Sequence, residues 1–160
     1  MDSAQAYSPE DPKPLGGYAI LLMLFQLMVA LIGLLLMRSR KRLPEQIPTQ
    51  DLALMSVATF KVSRLITKDK VTAAVRAPFT RYQDDGGPAE VSEQARGTGL
   101  QRAVGELLAC PYCIGQWIAT LLLATYVWQP RLARTVASEF AILTGADYLQ
   151  QAWVAVDKAA

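Results

Sequence analysis

The chain has 160 residues, enough for one domain but not for two with separate cores. Hydrophobic residues make up 52% and charged residues 19%, a balance shifted toward the membrane class, and a net charge of +2 gives no argument for nucleic acid. There is no histidine, so neither a Ser-His-Asp nor a Cys-His mechanism can be built from this chain alone. The two cysteines fall in one short motif, which excludes a disulfide framework.

Residues 1–17 carry Asp2, Glu10, Asp11 and several prolines, and read as a disordered segment outside the membrane. Residues 18–37, YAILLMLFQLMVALIGLLLM, hold no charge. At ~1.5 Å per residue they cover ~30 Å, the hydrocarbon thickness of a bilayer, and predict a transmembrane anchor. The run is too long for the apolar core of a signal peptide. Residues 38–50 follow as a basic linker. Arg38, Arg40, Lys41 and Arg42 place it in the cytoplasm by the positive-inside rule and can also contact anionic lipid. The N-terminus is then outside.

Residues 51–155 read as a helical membrane domain, with residues 156–160 as a tail. Residues 51–66 predict a helix with Asp51 as its N-cap and Leu54, Met55, Ala58, Val62, Leu65 and Ile66 on one apolar face. Ser56, Thr59 and Ser63 form a stripe of small polar residues suited to close packing in lipid. Residues 67–82 predict an interfacial helix ending near Pro78. Its Lys68, Lys70, Arg76 and Arg81 are candidates for contact with anionic lipid or a soluble partner. Residues 83–98, with Gly86, Gly87 and Pro88, predict a mobile loop.

A short amphipathic helix is expected over residues 99–109. A second span then runs over residues 112–128, with aromatic residues at both ends and Gln129-Pro130 as its stop. Residues 135–156 predict a helix with Glu139, Thr144, Asp147, Gln150 and Gln151 on one arc. Ala141, Ile142, Gly145, Tyr148, Leu149, Ala152 and Trp153 fall on the other. It either spans with a polar face turned into a bundle or lies in the interface plane.

The expected fold is therefore an all-α membrane protein with three transmembrane helices plus one re-entrant or interfacial helix. Charge counting selects it. If residues 51–66 do not cross, the cytoplasmic side holds the four bases at 38–42, then Lys68, Lys70, Arg76, Arg81, Arg96, Arg102 and Lys158. Only Lys13, Arg131 and Arg134 stay outside. The expected location is the bacterial cytoplasmic membrane, multi-pass.

The stretches ATFKVSRLITKDKVTAAVRAPF and GELLACPYCIGQW resemble a family of small bacterial membrane proteins of unknown function, some labelled as sporulation-associated. Phe60, Arg64, Leu65, Asp69, Arg76, Pro78, Phe79, Glu106, Leu107, Cys110, Pro111, Cys113, Gly115 and Trp117 carry the likeness, which covers residues 51–155. It implies a polytopic membrane protein whose core is three helices beginning with residues 51–66, and it brings no activity. The N-terminal anchor is an addition to the family pattern.

Cys110-Pro111-Tyr112-Cys113 is the sharpest chemical motif, a redox tetrapeptide of glutaredoxin type. A thiol at a helix N-terminus has its thiolate favoured by the free amides and the dipole, so Cys110 and Cys113 are candidate catalytic residues of a thiol-disulfide oxidoreductase. With Glu106 they are also candidate metal ligands, although two thiolates do not complete a tetrahedral site. They can equally pack a tight helix junction.

Lys61, Arg64, Glu139 and Asp147 are candidates for intramembrane charge pairing, since each is costly alone in lipid. Gly115 and Ala119, four apart, are candidates for helix packing. The reading is a non-enzymatic interaction or scaffold component of the bacterial envelope, without cofactor. Its partners are the lipid bilayer and, through its helices, another protein or further copies of itself. The alternatives are the oxidoreductase and an oligomeric pore or lysis-type protein.

Overall fold

The computed structural model describes residues 7–39 and 43–159. Arg40, Lys41 and Arg42, and the first part of the N-terminal segment, lie outside the described residues. In chain order the elements are α1 (Leu15–Arg38), α2 (Thr49–Lys68), α3 (Ala73–Arg76), β1 (Thr80–Asp85), β2 (Val91–Ala95), α4 (Gly99–Ala109), α5 (Pro111–Trp128) and α6 (Pro130–Asp157).

Three helices form the core bundle. α2 packs against both α5 and α6. Its first turn meets the start of α6 through Asp51 and Arg134, and Lys61 further along meets Asp147, so the two helices run parallel. α5 runs the other way. Its Tyr126 lies beside Asp51, and a Cβ at Gly115 near its start would lie 4.0 Å from the Thr59 side chain. The buried contacts are small: Met55, Ala58, Ala133 and Ala137 close around Tyr126. Alanines at these positions bring the backbones together, which is how helices pack where apolar burial does not drive association.

Residues 69–109 make a head at one end of this bundle. β1 and β2 pair antiparallel, with Thr80 opposite Ala95, Asp85 opposite Val91, and a register shift between Tyr82 and Asp84. The turn at 86–90 is tied to the end of α2 by an isolated bridge between Asp69 and Glu90. α4 lies against the hairpin. Gly105 is required there, because a Cβ would collide with the Phe79 carbonyl and sit 3.0 Å from the Ala95 methyl. α4 and α5 meet at an 80° bend at Cys110.

α1 docks its first turns on α4. A Cβ at Gly17 would lie 2.7 Å from the Ala103 methyl and 2.8 Å from the Gly99 carbonyl, so only glycine permits this approach. Tyr18 donates to the Glu106 carboxylate, and Arg102 reaches Asp11 at 2.8 Å. Lys13 and Arg102 together hold the Asp11 carboxyl below its usual range. Further along, Phe25 meets Trp117 of α5 edge to face, with ring centroids 5.1 Å apart.

The fold differs from the sequence expectation in four ways. It is mostly helical but not all-α, because residues 80–95 form a hairpin where a helix end and a mobile loop were expected. The interfacial helix at 67–82 shrinks to the single turn of α3, since Thr80 begins a strand. α2 starts at Thr49 behind Pro48, so Asp51 is not the N-cap; its side chain turns sideways to Tyr126 and Arg134. Three spans are not supported. Among the described residues, one helix, α1, is long and apolar enough to cross a membrane, and the bent pair α4–α5 passes only as a unit.

The head sits at the end of α1 opposite Arg38. Gly105→Ala should cost about 1–3 kcal/mol of stability by overpacking against a backbone carbonyl. Gly33, with nothing within 4 Å of a built Cβ, is the control, and Gly33→Ala should leave the melting curve in detergent unchanged or raised.

Candidate functional site

Two places gather the sequence candidates, a polar cleft at the head and the α4–α5 corner. The cleft encloses 680 Å³ between α2, α6 and the hairpin turn. Phe60 and Tyr148 stand on its walls, and five charged residues line it: Lys61, Arg64, Asp69, Glu90 and Asp147. Lys61 of α2 pairs with Asp147 of α6. Arg64, one turn on, makes a forked contact with Glu90, its Nε at 3.0 Å and Nη2 at 2.6 Å from Oε1.

The four residues expected to pair across a bundle are therefore only partly brought together. Lys61 and Asp147 meet. Arg64 takes Glu90 from the head, because one helical turn carries it past α6 to the hairpin. Glu139 is exposed on α6, away from both.

Below the cleft, Arg76 is fully buried. Its Nε binds the Glu93 carboxylate, also nearly buried. Nη1 donates to the Ile66 carbonyl at 2.7 Å and to the Thr72 hydroxyl at 2.6 Å, and Nη2 to the Asp69 carbonyl at 3.0 Å. Ile66 is in the last turn of α2, so the guanidinium caps a carbonyl that the helix leaves unpaired and sits at the negative end of its dipole. Arg76 thus holds the head together and is not available to lipid or a soluble partner.

Lys70 and Arg81 stay exposed, Lys70 beside Asp85 at 3.1 Å, while Lys68 is half-buried at the end of α2. Arg38 ends α1. At the far end of the bundle, Asp51 accepts from the Tyr126 hydroxyl at 2.6 Å and from Arg134 at 2.7 and 2.9 Å.

At the corner, Cys110 and Cys113 are joined as a disulfide with Cα atoms 5.3 Å apart. Cys110 is the N-cap of α5. Its sulfur accepts the Cys113 amide at 3.1 Å, and Pro111 fills the first helical position, where its missing N–H costs nothing. Cys113 is exposed, and Tyr112 beside it is 92% exposed. The pair is held at a helix N-terminus open to a second molecule.

Glu106 does not join it. Tyr18 and Arg102 occupy its carboxylate, and among the described residues no three His, Cys, Asp or Glu side chains come together as a metal site. Gly115 faces Thr59 of α2 as a packing position, whereas Ala119 is exposed.

Sequence reasoning missed Glu90, Glu93, Tyr126 and Arg134. Glu90 and Glu93 sat in a polar stretch with no apolar alternation to mark strands. Tyr126 was read as an interface aromatic and Arg134 as an outside charge. Nothing local connected either to Asp51, some eighty residues away.

These features define a small helical protein with an apolar N-terminal helix and an ion-paired head. The chain belongs to the family described as "Protein of unknown function (DUF1360)", which matches residues 54–153 and leaves α1 outside the matched region. It is similar to "Sporulation protein YjcA" of Bacillus subtilis (strain 168), 33% identical over 86 residues, 52% of this chain and 73% of that protein. It is also similar to "UPF0713 protein YngL" of the same organism, 30% identical over 84 residues, 50% of this chain and 60% of that one. No solved structure matches it.

Arg76→Met should cost about 3–5 kcal/mol in chemical denaturation, because it strands the Glu93 carboxylate out of water. Adding Glu93→Leu should recover much of the loss. Equal stability of wild type and Arg76→Met would remove the organising role given to this pair.

Proposed function

We propose that this chain is a multi-pass bacterial membrane protein that acts as an interaction or scaffold component of the cell envelope. The observation that carries the reading is the inverted surface of α6. Its Ile142, Leu149 and Trp153 are more than 70% exposed, while Thr144 is buried and Asp147 is paired inward. A helix in water turns these faces the other way. α1 and α5 expose leucines in the same manner.

The hydroxyls along the bundle bond to their own helices, as Ser56 does to Leu52 O and Thr144 to Phe140 O, which suits a medium without water. Since α1 lies along α5, and α5 packs on α2 and α6, a bilayer that takes α1 takes the bundle with it. The basic flank of the most apolar helix then sets the cytoplasmic side, and the head lies outside with the N-terminus. The likeness to a protein named for sporulation fits an envelope setting.

In this reading the head's exposed bases and the protruding Val71 and Val75 meet the partner. A photocrosslinking residue at Val71 in intact cells should give one discrete protein adduct. Gln at Lys68, Lys70 and Arg81 together should weaken it without lowering protein level. No adduct at any head position would sink the scaffold role.

The exposed disulfide at the start of α5 favours a second reading, a thiol-disulfide oxidoreductase. A substrate dithiol would pass two electrons and two protons to the Cys110–Cys113 bond, leaving the substrate as a disulfide and the pair as thiols. A substrate thiolate would attack the Cys110 sulfur and expel the Cys113 thiolate, and the substrate's second thiolate would then displace Cys110, whose thiolate the Cys113 amide and the helix N-terminus stabilise as leaving group. An impermeant maleimide should label neither cysteine in intact cells until a reductant is added, and Cys113→Ser should trap a mixed disulfide between Cys110 and the disulfide form of a substrate. Labelling without reductant, or no trapped species, counts for the scaffold alone.

A further inference from the structure

The charges on the inner side of the bundle are matched: Asp51 with Arg134, and Lys61 with Asp147. Glu139 is not. It is exposed and makes no ion pair or side-chain hydrogen bond among the described residues. It stands nine residues into α6, ~13 Å from the start of the helix and between the levels of those two pairs. Leu132, Thr135, Ile142 and Leu143 share its outward stripe, at spacings of three, four and seven residues.

If α6 lies in the bilayer, as proposed above, this carboxylate sits in hydrocarbon with no counter-charge from its own chain. Such a group stays only where it is neutralised.

We propose that the outer face of α6, centred on Glu139, docks a membrane helix of another protein that carries a lysine or arginine at the same depth. A second copy does not fit the charge. In one membrane two copies of α6 run parallel, and an isologous contact would set Glu139 against Glu139. The chain's own bases at nearby depth, Lys61 and Arg134, are already paired, with Asp147 and Asp51. Arg131 is exposed but lies eight residues, ~12 Å, nearer the membrane edge. Charge complementarity therefore selects a cationic helix from outside this chain.

The test uses the full chain in phosphatidylcholine vesicles with labelled polyleucine transmembrane peptides, and reads energy transfer. A peptide with one central Lys should associate about tenfold more tightly than the same peptide with Leu there. Glu139→Gln should make the two equal, and Glu139→Lys should transfer the preference to a peptide bearing Asp. Equal binding of the Lys and Leu peptides to wild type, a preference that survives Glu139→Gln, or transfer only between copies of the chain would overturn the proposal.

Ile142→Cys separates this failure from failure of the membrane reading. Rapid reaction of that cysteine with a water-soluble maleimide in the vesicles would place α6 in water and remove both. A sheltered cysteine with no peptide preference would overturn the docking face alone.

Discussion

A guanidinium taken wholly out of water is tolerable only when its donors are all engaged. Arg76 meets that condition with groups from three segments: carbonyls at the end of α2, the Thr72 hydroxyl, and Glu93 on β2. Because those segments are distant in sequence, satisfying one side chain fixes the hairpin relative to α2. The Arg64–Glu90 fork and the Asp69–Glu90 bridge then hold the turn against the same helix. The cleft follows from this arrangement, since its far wall is that turn. The head has little apolar core, with Val91 the buried aliphatic of the hairpin, so polar matching takes the place that burial holds elsewhere.

The bundle uses the opposite economy. Its main buried cluster is three alanines and one methionine around Tyr126, while many of its large aliphatics, Leu52, Leu121, Leu123 and Leu149 among them, are exposed. Burial of apolar area contributes little to the contacts between such helices. Close approach and a few specific polar ties must hold them, among them the Asp51–Tyr126–Arg134 cluster at one end and Lys61–Asp147 toward the other. Both ties join α2 to α6, so they fix its register at two points. A helix pair pinned in this way keeps its alignment without a large apolar seam.

The sequence made the helices legible where period and length spoke together. Residues 18–37 were uncharged and longer than a signal-peptide core, and Gln129-Pro130 marked the turn between α5 and α6. The hairpin was illegible because its strands carry no alternation: TRYQDD has one buried residue, Thr80, and the strands are held by charges placed elsewhere in the chain. The Lys61–Asp147 pair followed from the cost of burying charge, but Arg64's partner did not, because Glu90 belongs to a segment read as mobile. Arg76 was assigned to the surface on charge alone. Nothing in its neighbours reveals that a carboxylate and three further acceptors converge on it.

The position of the head on α1 shows what a charge count leaves out. Charge counting assigned six bases of residues 67–109 to the side of residues 38–42. Yet Arg102 is paired with Asp11 and Glu106, Arg76 with Glu93 and Lys70 with Asp85, so half of those bases carry an acid with them. The tally treats them as free. Gly17 against Ala103 and Tyr18 on Glu106 then put the head at the start of α1, with the helix's full length, ~36 Å, between it and Arg38. The same contact explains why an apolar helix outside the matched family region is integrated with the rest. Its first turn needs glycine to reach α4, so it docks as a fitted part and not as a free leash.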